Sequence, residues 1–137
     1  MIKSQYILDI LDLTFDDHKA SALLRKQIEY LTVSDIEHTG VGVFINFSSD
    51  PEVQKYKVDK KLLLDEGDSP ATLEMINGLS IINKSLNIDA DATVHLENGI
   101  IDCLEILNAE TYPTTEPEHY ELIQTWRDDS EKRMFKR

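Results

Sequence analysis

The stretch of residues 86–106 constrains the fold most, because its polarity alternates and then stops at a turn. From residue 86 to residue 96 every second position is apolar, and the positions between them are polar. A period of two indicates a β-strand with one buried face and one wet face. Asn98-Gly99 follows, and this pair favours a two-residue hairpin turn because both central residues take positive φ. Residues 100–106 then form the returning strand of the predicted hairpin.

Helices and further strands are predicted before this hairpin. Residues 2–13 and 17–31 carry apolar stripes at helical spacing, and Thr14 can cap the second of these helices. Residues 32–38 and 40–47 are typical of strands, the second of which contains Gly40 and Gly42. These glycines indicate a tight turn, a bulge, or a backbone or ligand lying close. Residues 71–76 alternate in the same way and predict another strand, which is expected to end where Asn77-Gly78 turns the chain.

A helix is predicted near the end of the chain. Thr115 and Glu118 have the spacing of a capping box, with apolar residues at helical spacing after them, namely Tyr120, Ile123 and Trp126. This helix is expected to end near Arg127 or to continue to Phe135. The sequence therefore predicts one α+β domain over residues 1–137, with N-terminal helices, an antiparallel sheet around the Asn-Gly hairpin and a C-terminal helix.

The two-residue turn at Asn98-Gly99 determines which hairpin residues share a face. It pairs Val94 with Cys103 and Ala92 with Glu105. Cys103 is therefore expected to face the core as a small packed side chain. Glu105 would point into the same apolar face, which is costly for a carboxylate unless it is paired or hydrogen-bonded.

Three explanations of Glu105 stay open. A β-bulge near Asp102 would turn Glu105 outward and leave Leu104 and Ile106 in the core. Alternatively, the carboxylate is a structural hydrogen-bond acceptor, as most buried polar groups are. The third explanation is a functional acid.

His95 lies opposite Asp102 in this register and suggests a cross-strand pair. If the protein is an enzyme, the candidate catalytic residues are His95 as a general base, Asp102 as the group that orients it, and Glu105 nearby. No nucleophile or oxyanion site stands in evident relation to them. The four histidines and the single cysteine have no zinc-site spacing. We therefore expect no metal and no cofactor.

The net charge of −12 limits the classes of partner. It opposes binding to nucleic acid, whose affinity comes mainly from basic side chains, and it would favour fast association with a basic protein. Alternatively, and more commonly among acidic proteins, the charge only keeps the protein soluble and monomeric. The apolar runs are far too short for a membrane span, and no signal peptide is expected. A single cysteine excludes an internal disulfide and fits a cytoplasmic location.

Three segments carry a resemblance. Residues 37–44 read Glu-His-Thr-Gly-Val-Gly-Val-Phe, residues 96–101 read Leu-Glu-Asn-Gly-Ile-Ile, and residues 103–105 read Cys-Leu-Glu. They resemble a group of small uncharacterised bacterial proteins with a Thr-Gly-Val-Gly-x-Phe strand and a Leu-x-x-Gly-x-x-x-x-Leu-Glu hairpin. The resemblance covers residues 17–113, with Tyr112-Pro113 where an aromatic-Pro pair is expected. It implies an α+β domain and no particular activity.

These observations favour a non-catalytic cytoplasmic module that binds a protein partner or forms a homodimer. A sharper version is an inhibitor of the immunity or antitoxin type, whose acidic surface blocks a basic toxin. Neither nucleic acid nor a membrane is an expected partner. The alternative is a small enzyme or ligand-binding protein with its site near the hairpin of residues 86–106.

Overall fold

The structure, a computed structural model, describes residues 1–63, 74–125 and 133–137. Helices precede an antiparallel sheet, so the predicted α+β class is confirmed. The α-helices and strands are, in chain order, α1 (Gln5–Phe15), α2 (Ser21–Ile28), β1 (Leu31–His38), β2 (Gly42–Ser49), β3 (Met75–Asn83), β4 (Ile88–Glu97), β5 (Ile100–Asn108), β6 (Glu121–Gln124) and β7 (Met134–Lys136). Short 3-10 helices lie at Pro51–Tyr56, Lys60–Leu62 and Lys84–Leu86.

The seven strands form one sheet in the order β1-β2-β5-β4-β3-β6-β7. Both helices pack on the same side of it, α1 against β3 and β6, and α2 against β5. We call this side of the sheet the inner face and the opposite side the outer face. The core between helices and sheet includes Ile7, Ile10, Leu11, Leu24, Ile81, Val94, Leu104, Ile106 and Leu122. No helix within the described ranges has the length and apolar character needed to cross a membrane.

The helices α1 and α2 differ in detail from the prediction. Ser4 caps α1 by accepting a hydrogen bond from the Ile7 N–H at 3.1 Å. Thr14 does not cap α2, because it lies inside α1 and its hydroxyl donates to the carbonyl of Ile10 at 2.7 Å. The helix α2 begins at Ser21 and not at Asp17. Asp17 has a φ of +60°, which a right-handed helix does not allow.

A β-bulge lies in the hairpin of β4 and β5. Asn98 and Gly99 connect the two strands with positive φ, and Leu96 lies opposite Ile101 as the sequence predicts. Beyond that pair β5 contains one extra residue, Asp102, and the register shifts. This shift is the first of the three explanations proposed for Glu105.

The bulge changes the neighbours of each candidate residue. Cys103 lies opposite His95, so the predicted pairing of His95 with Asp102 is wrong. Glu105 points to the outer face, and Leu104 takes its place in the core. Cys103 is buried but also belongs to the outer side of β5, contrary to the prediction. The physical reason is the cost of burying a carboxylate, which the extra residue avoids.

Asn77-Gly78 does not turn the chain, contrary to the prediction. β3 continues through this pair, where the register with β4 shifts between Asn77 and Leu79. Gly78 has a φ of +114°, a conformation that suits a bulge as well as it suits a turn. The part of the predicted strand at residues 71–73 lies outside the described residues.

The C-terminal helix predicted from Thr115 is wrong over the residues described. Residues 121–124 instead form the strand β6, which pairs with β3 along the edge that β4 does not occupy. Leu122 and Gln124 are buried there, whereas a helix would leave this edge of β3 unpaired. Apolar residues three apart occur in helices and in strands, so backbone pairing with the sheet decides the conformation. The last described element is the strand β7, and residues 126–132 of the predicted helix lie outside the described residues.

Candidate functional site

The outer face of the sheet is strongly acidic. The described strands contain one lysine or arginine, Lys136. Their acidic residues all lie outside the buried core and are Asp35, Glu37, Asp89, Asp91, Glu97, Asp102, Glu105 and Glu121. Strand alternation directs these side chains outward, except that of the bulge residue Asp102, because the inner positions hold the apolar core.

Apolar side chains lie among these carboxylates. Leu107 on β5 is 52% exposed and Met134 on β7 is 61% exposed. Phe44 is half-buried and lies in one cross-strand row between Glu37 of β1 and Glu105 of β5. The outer face therefore combines negative charge with exposed apolar contact points, which is the composition of many binding surfaces.

His95 and Glu105 meet near the middle of the outer face. The Nε2 atom of His95 lies 2.9 Å from Oε1 of Glu105, and both side chains are about one-third exposed at 29% and 30%. They lie on adjacent strands, with Glu105 directly opposite Thr93 and diagonal to His95. A partly exposed pair of this kind contributes little to stability, about 0–1 kcal/mol. It can orient the imidazole ring of His95 and add negative charge to the face.

Cys103 lies next to this pair but is a poor nucleophile. Burial first, and then the carboxylates of Asp102, Glu105 and Glu37, raise the pKa of the Cys103 thiol to about 11. A cysteine nucleophile acts as the thiolate, and its pKa is lowered by a basic neighbourhood. The surroundings of Cys103 have the opposite effect, so cysteine–histidine catalysis finds no support here.

The predicted candidates His95 and Glu105 share the outer face, and a hydrogen bond joins them. Asp102, the extra residue of the bulge, is exposed but has no cross-strand partner in the register. Two cavities of about 420 and 350 Å³ lie elsewhere, one beside Asn87 and Asn108 and one between the helices α1 and α2. Within the described ranges no three His, Cys, Asp or Glu side chains are grouped as metal ligands would be. The arrangement is an acidic surface with one histidine, without the enclosure of a typical active site.

The sequence indicated only part of this surface. Alternation along β4 predicted Asp89 and Asp91 on a wet face, and the structure has both exposed. Asp35, Glu37 and Glu121 were missed as members of the same surface, because their strands join the sheet through long-range pairing. The signal available was the lack of lysine and arginine in the predicted strands, which contrasts with the lysine-rich segment 55–61.

Comparisons with known proteins identify no relative of this chain. The resemblance to small bacterial proteins with a similar hairpin therefore stays a prediction. No family model, no curated protein and no solved structure significantly matches the chain.

Proposed function

We propose that the protein is a non-catalytic cytoplasmic binding module whose acidic outer face binds a basic partner protein. The observation that carries this proposal is the charge of the strands, eight carboxylates against the single Lys136 in the part of the sheet described. The helices cover only the inner face, so the carboxylates need no partner for folding. The negative electrostatic potential of this face raises the association rate of a basic protein and makes its binding sensitive to salt.

The outer face is large enough for a specific complex. Six intervals of about 4.8 Å between seven strands give a width of about 29 Å. Strands of about 25 Å then give roughly 700 Å² of surface, close to the 800 Å² that each partner buries in a standard interface. The exposed Leu107 and the half-buried Phe44 supply apolar contacts within it.

A partner of opposite charge is favoured over a second copy at this face. Two copies joined through their outer faces would bring like charges together, and like charges across an interface are strongly unfavourable. An inhibitor of the immunity type, whose acidic surface blocks a basic toxin, is the sharper form of the same proposal. Its support is the charge and size of the surface.

Two variants of equal charge test the proposal by affinity capture from the native cell extract. The first variant carries Asp89→Asn, Asp91→Asn and Glu121→Gln on the outer face. The matched control carries three neutralisations away from that face: Asp12→Asn, Glu29→Gln and Glu52→Gln. Both variants have a net charge of −9, which is −12 plus 3. The control residues form exposed ion pairs with Arg25, Lys26 and Lys55, so their loss has little effect on folding.

We expect the wild type and the control to retain the same basic protein, and the outer-face variant to lose it. Raising the salt concentration should release this protein from the wild type. Equal capture by both variants would show that the partner does not use the outer face. A wild type that captures no basic protein and is monomeric by light scattering would remove the proposal.

One observation favours the alternative, an enzyme or ligand-binding protein with its site near the hairpin. The 2.9 Å contact between His95 and Glu105 resembles a base and its orienting carboxylate. An NMR screen of small anionic and neutral metabolites would test this alternative through the imidazole resonances of His95. A saturable shift that Glu105→Gln abolishes would support a ligand site, and unchanged resonances would exclude one.

A further inference from the structure

The strand β1 is an open edge of the sheet. It pairs with β2 on one side, and none of the described residues pairs with its other side. All residues from Ser34 to His38 are exposed. Edge strands usually carry lysine, proline or a bulge that blocks the addition of another strand. β1 has a register shift at Ser34 but contains no lysine, arginine or proline.

The opposite edge of the sheet is built differently. β7 has only 3 residues, and it contains Lys136, which Arg137 follows. Short length and positive charge are the features that protect an edge against further pairing. Of the two edges of the sheet, β1 is therefore the one to which a further strand can be added.

An apolar groove lies beside β1 on the inner face. Ile36 of β1 is 45% exposed and borders a small cavity of about 50 Å³. Val43, Ile45, Tyr6 and Tyr112 also line this cavity. The helices make their main contacts with β3, β5 and β6, and α1 reaches this cavity through Tyr6. An additional strand beside β1 would place its inward side chains next to the exposed Ile36, at the border of this groove.

The outer side of β1 has the opposite character. Asp35 and Glu37 are two residues apart on the outer face, and both are exposed. They lie opposite Asn46 and Phe44 of β2, neither of which neutralises them. In a neighbouring strand, the side chains nearest to Asp35 and Glu37 would be those of every second residue. Lysine or arginine at those positions would form cross-strand pairs with the two carboxylates.

We propose that β1 takes an extended segment of the partner protein as an eighth strand of the sheet. The segment alternates basic residues, placed beside Asp35 and Glu37, with apolar residues, placed over Ile36. This inference rests on the proposed function and deepens it by naming the part of the partner that is bound. Backbone hydrogen bonds give affinity in such strand addition, and the alternate side chains give specificity.

A second copy of this chain is a poorer occupant of the edge. Symmetric antiparallel pairing of two β1 strands leaves both outer faces on the same side of the joined sheet. Asp35 and Glu37 of both copies would then meet across the junction, and like charges on neighbouring strands destabilise the pairing. The negative charge of β1 therefore selects a basic segment.

The probe is a capped peptide of alternating lysine and valine with the length of β1, 8 residues. Its binding is measured by fluorescence anisotropy at about 0.15 M salt, and hydrogen exchange reports on the amides of β1. Two further peptides are N-methylated, one at every lysine and the other at every valine. In a strand successive N–H groups point to opposite edges, so each methylated peptide has one edge blocked. We expect one methylated peptide to bind like the parent and the other to lose binding.

Charge-reversal variants locate the contact. Asp35→Lys with Glu37→Lys on β1 should weaken peptide binding about tenfold or more, because two attractive pairs become repulsive. Asp89→Lys with Asp91→Lys on β4 is the matched control, and both double variants have a net charge of −8, which is −12 plus 4. β4 lies three strand intervals from β1, about 14 Å. This distance exceeds the Debye length of about 8 Å at 0.15 M, so the control should bind nearly as the wild type does.

Each other result overturns the proposal. Absence of binding to the parent peptide excludes the docking edge, and equal binding of both methylated peptides shows attraction by charge without strand addition. Self-association of the protein that the β1 double variant abolishes would identify a second copy as the occupant. The capture experiment above changes carboxylates on β4 and β6 only, so the proposed function and this inference fail independently.

Discussion

Gln27 and Gly99 are joined by a buried hydrogen bond although they lie 72 residues apart, with Nε2 of Gln27 donating to the Gly99 carbonyl at 2.8 Å. The same Nε2 donates to the carbonyl of Tyr56 at 2.8 Å, and Oε1 accepts the N–H of Ile101 at 2.8 Å. Gln27 is fully buried. One side chain of α2 therefore satisfies three backbone groups and connects the helix, the 3-10 helix Pro51–Tyr56 and the hairpin turn.

Gln27→Ala should be strongly destabilising. It leaves the carbonyl of Tyr56 and the N–H of Ile101 without this partner, while the Gly99 carbonyl keeps its other hydrogen bond, from the Val58 N–H. Each unsatisfied buried group costs about 1–3 kcal/mol, so we expect a loss of about 3 kcal/mol or more in the free energy of unfolding. Urea denaturation measures it. Gln54→Ala is the control, because Gln54 is exposed, and it should change stability by less than about 0.5 kcal/mol. A loss below that level in Gln27→Ala would mean that these bonds do not hold the hairpin.

Gly42→Ala should prevent normal pairing of β2 with β5. A Cβ atom at position 42 would overlap the carbonyl oxygen of Ile106, which belongs to the backbone and cannot move aside alone. We expect a loss of about 3 kcal/mol or more, measured by urea denaturation, because the strands must separate locally. The matched control is Gly40→Ala, where no atom lies within 4 Å of the added Cβ. Its positive φ of 89° gives a smaller loss of about 1–2 kcal/mol. Similar losses in both variants would contradict the close approach.

The strand β4 and the helix α1 could be predicted from the sequence, because the periodicity of their own residues defines them. The alternation before Asn98 predicted β4, because one face of that strand is buried and the other is wet. The stripe in α1 was equally clear, since all its apolar residues except Leu8 are buried. The predicted register also placed Glu105 on an apolar face, and a bulge near Asp102 was one of the three explanations for it. Cys103 and Leu104 lie on the faces opposite to those predicted, because one bulged residue reverses the side-chain direction of every residue beyond it.

Non-local pairing explains the remaining errors. The short strand β6 has four residues, and only the edge of β3 makes it a strand. Asn77-Gly78 suits a turn or a bulge equally well, and pairing with β4 selects the bulge. The candidate site depends on the same contacts: His95 meets Glu105 only because of the Asp102 bulge, and no local pattern places β2 between β1 and β5. The acidic face is therefore a property of the strand order.

Stability should fall in acid through the carboxyl group of Asp9. Burial opposes the charged form of Asp9, but hydrogen bonds from Arg137, Tyr120 and Gln5 together hold its pKa below the ordinary value of 3.8. A carboxyl whose pKa is lower in the folded state stabilises the protein above its unfolded pKa and loses this contribution as the pH falls through its folded pKa. We therefore expect Asp9→Asn to destabilise the protein at neutral pH, and the difference from wild type to shrink below about pH 4.

Urea denaturation at neutral and acidic pH measures this difference. Arg137→Met is the companion variant, because Nε of Arg137 donates to Oδ2 of Asp9 at 2.7 Å. In the wild-type background, Arg137→Met should reduce the pH dependence of the free energy of unfolding. When combined with Asp9→Asn, it should not change this pH dependence further. A difference between Asp9→Asn and wild type that stays constant from pH 7 to about pH 2 would contradict the assignment.

Cys103 should react slowly with thiol reagents in the folded protein. Burial and the carboxylates of Asp102, Glu105 and Glu37 raise its pKa to about 11. At about pH 8 such a thiol is about one-thousandth thiolate, whereas an ordinary cysteine of pKa about 8.5 is about one-quarter thiolate. We therefore expect reaction with a disulfide reagent at least about a hundredfold slower than in concentrated guanidinium chloride, where the same residue is exposed. Asp102→Asn should speed the native reaction, because it removes an exposed carboxylate that raises the pKa without opening the core. A native rate equal to the denatured rate would show that Cys103 is an accessible thiolate, which would contradict its description as a poor nucleophile.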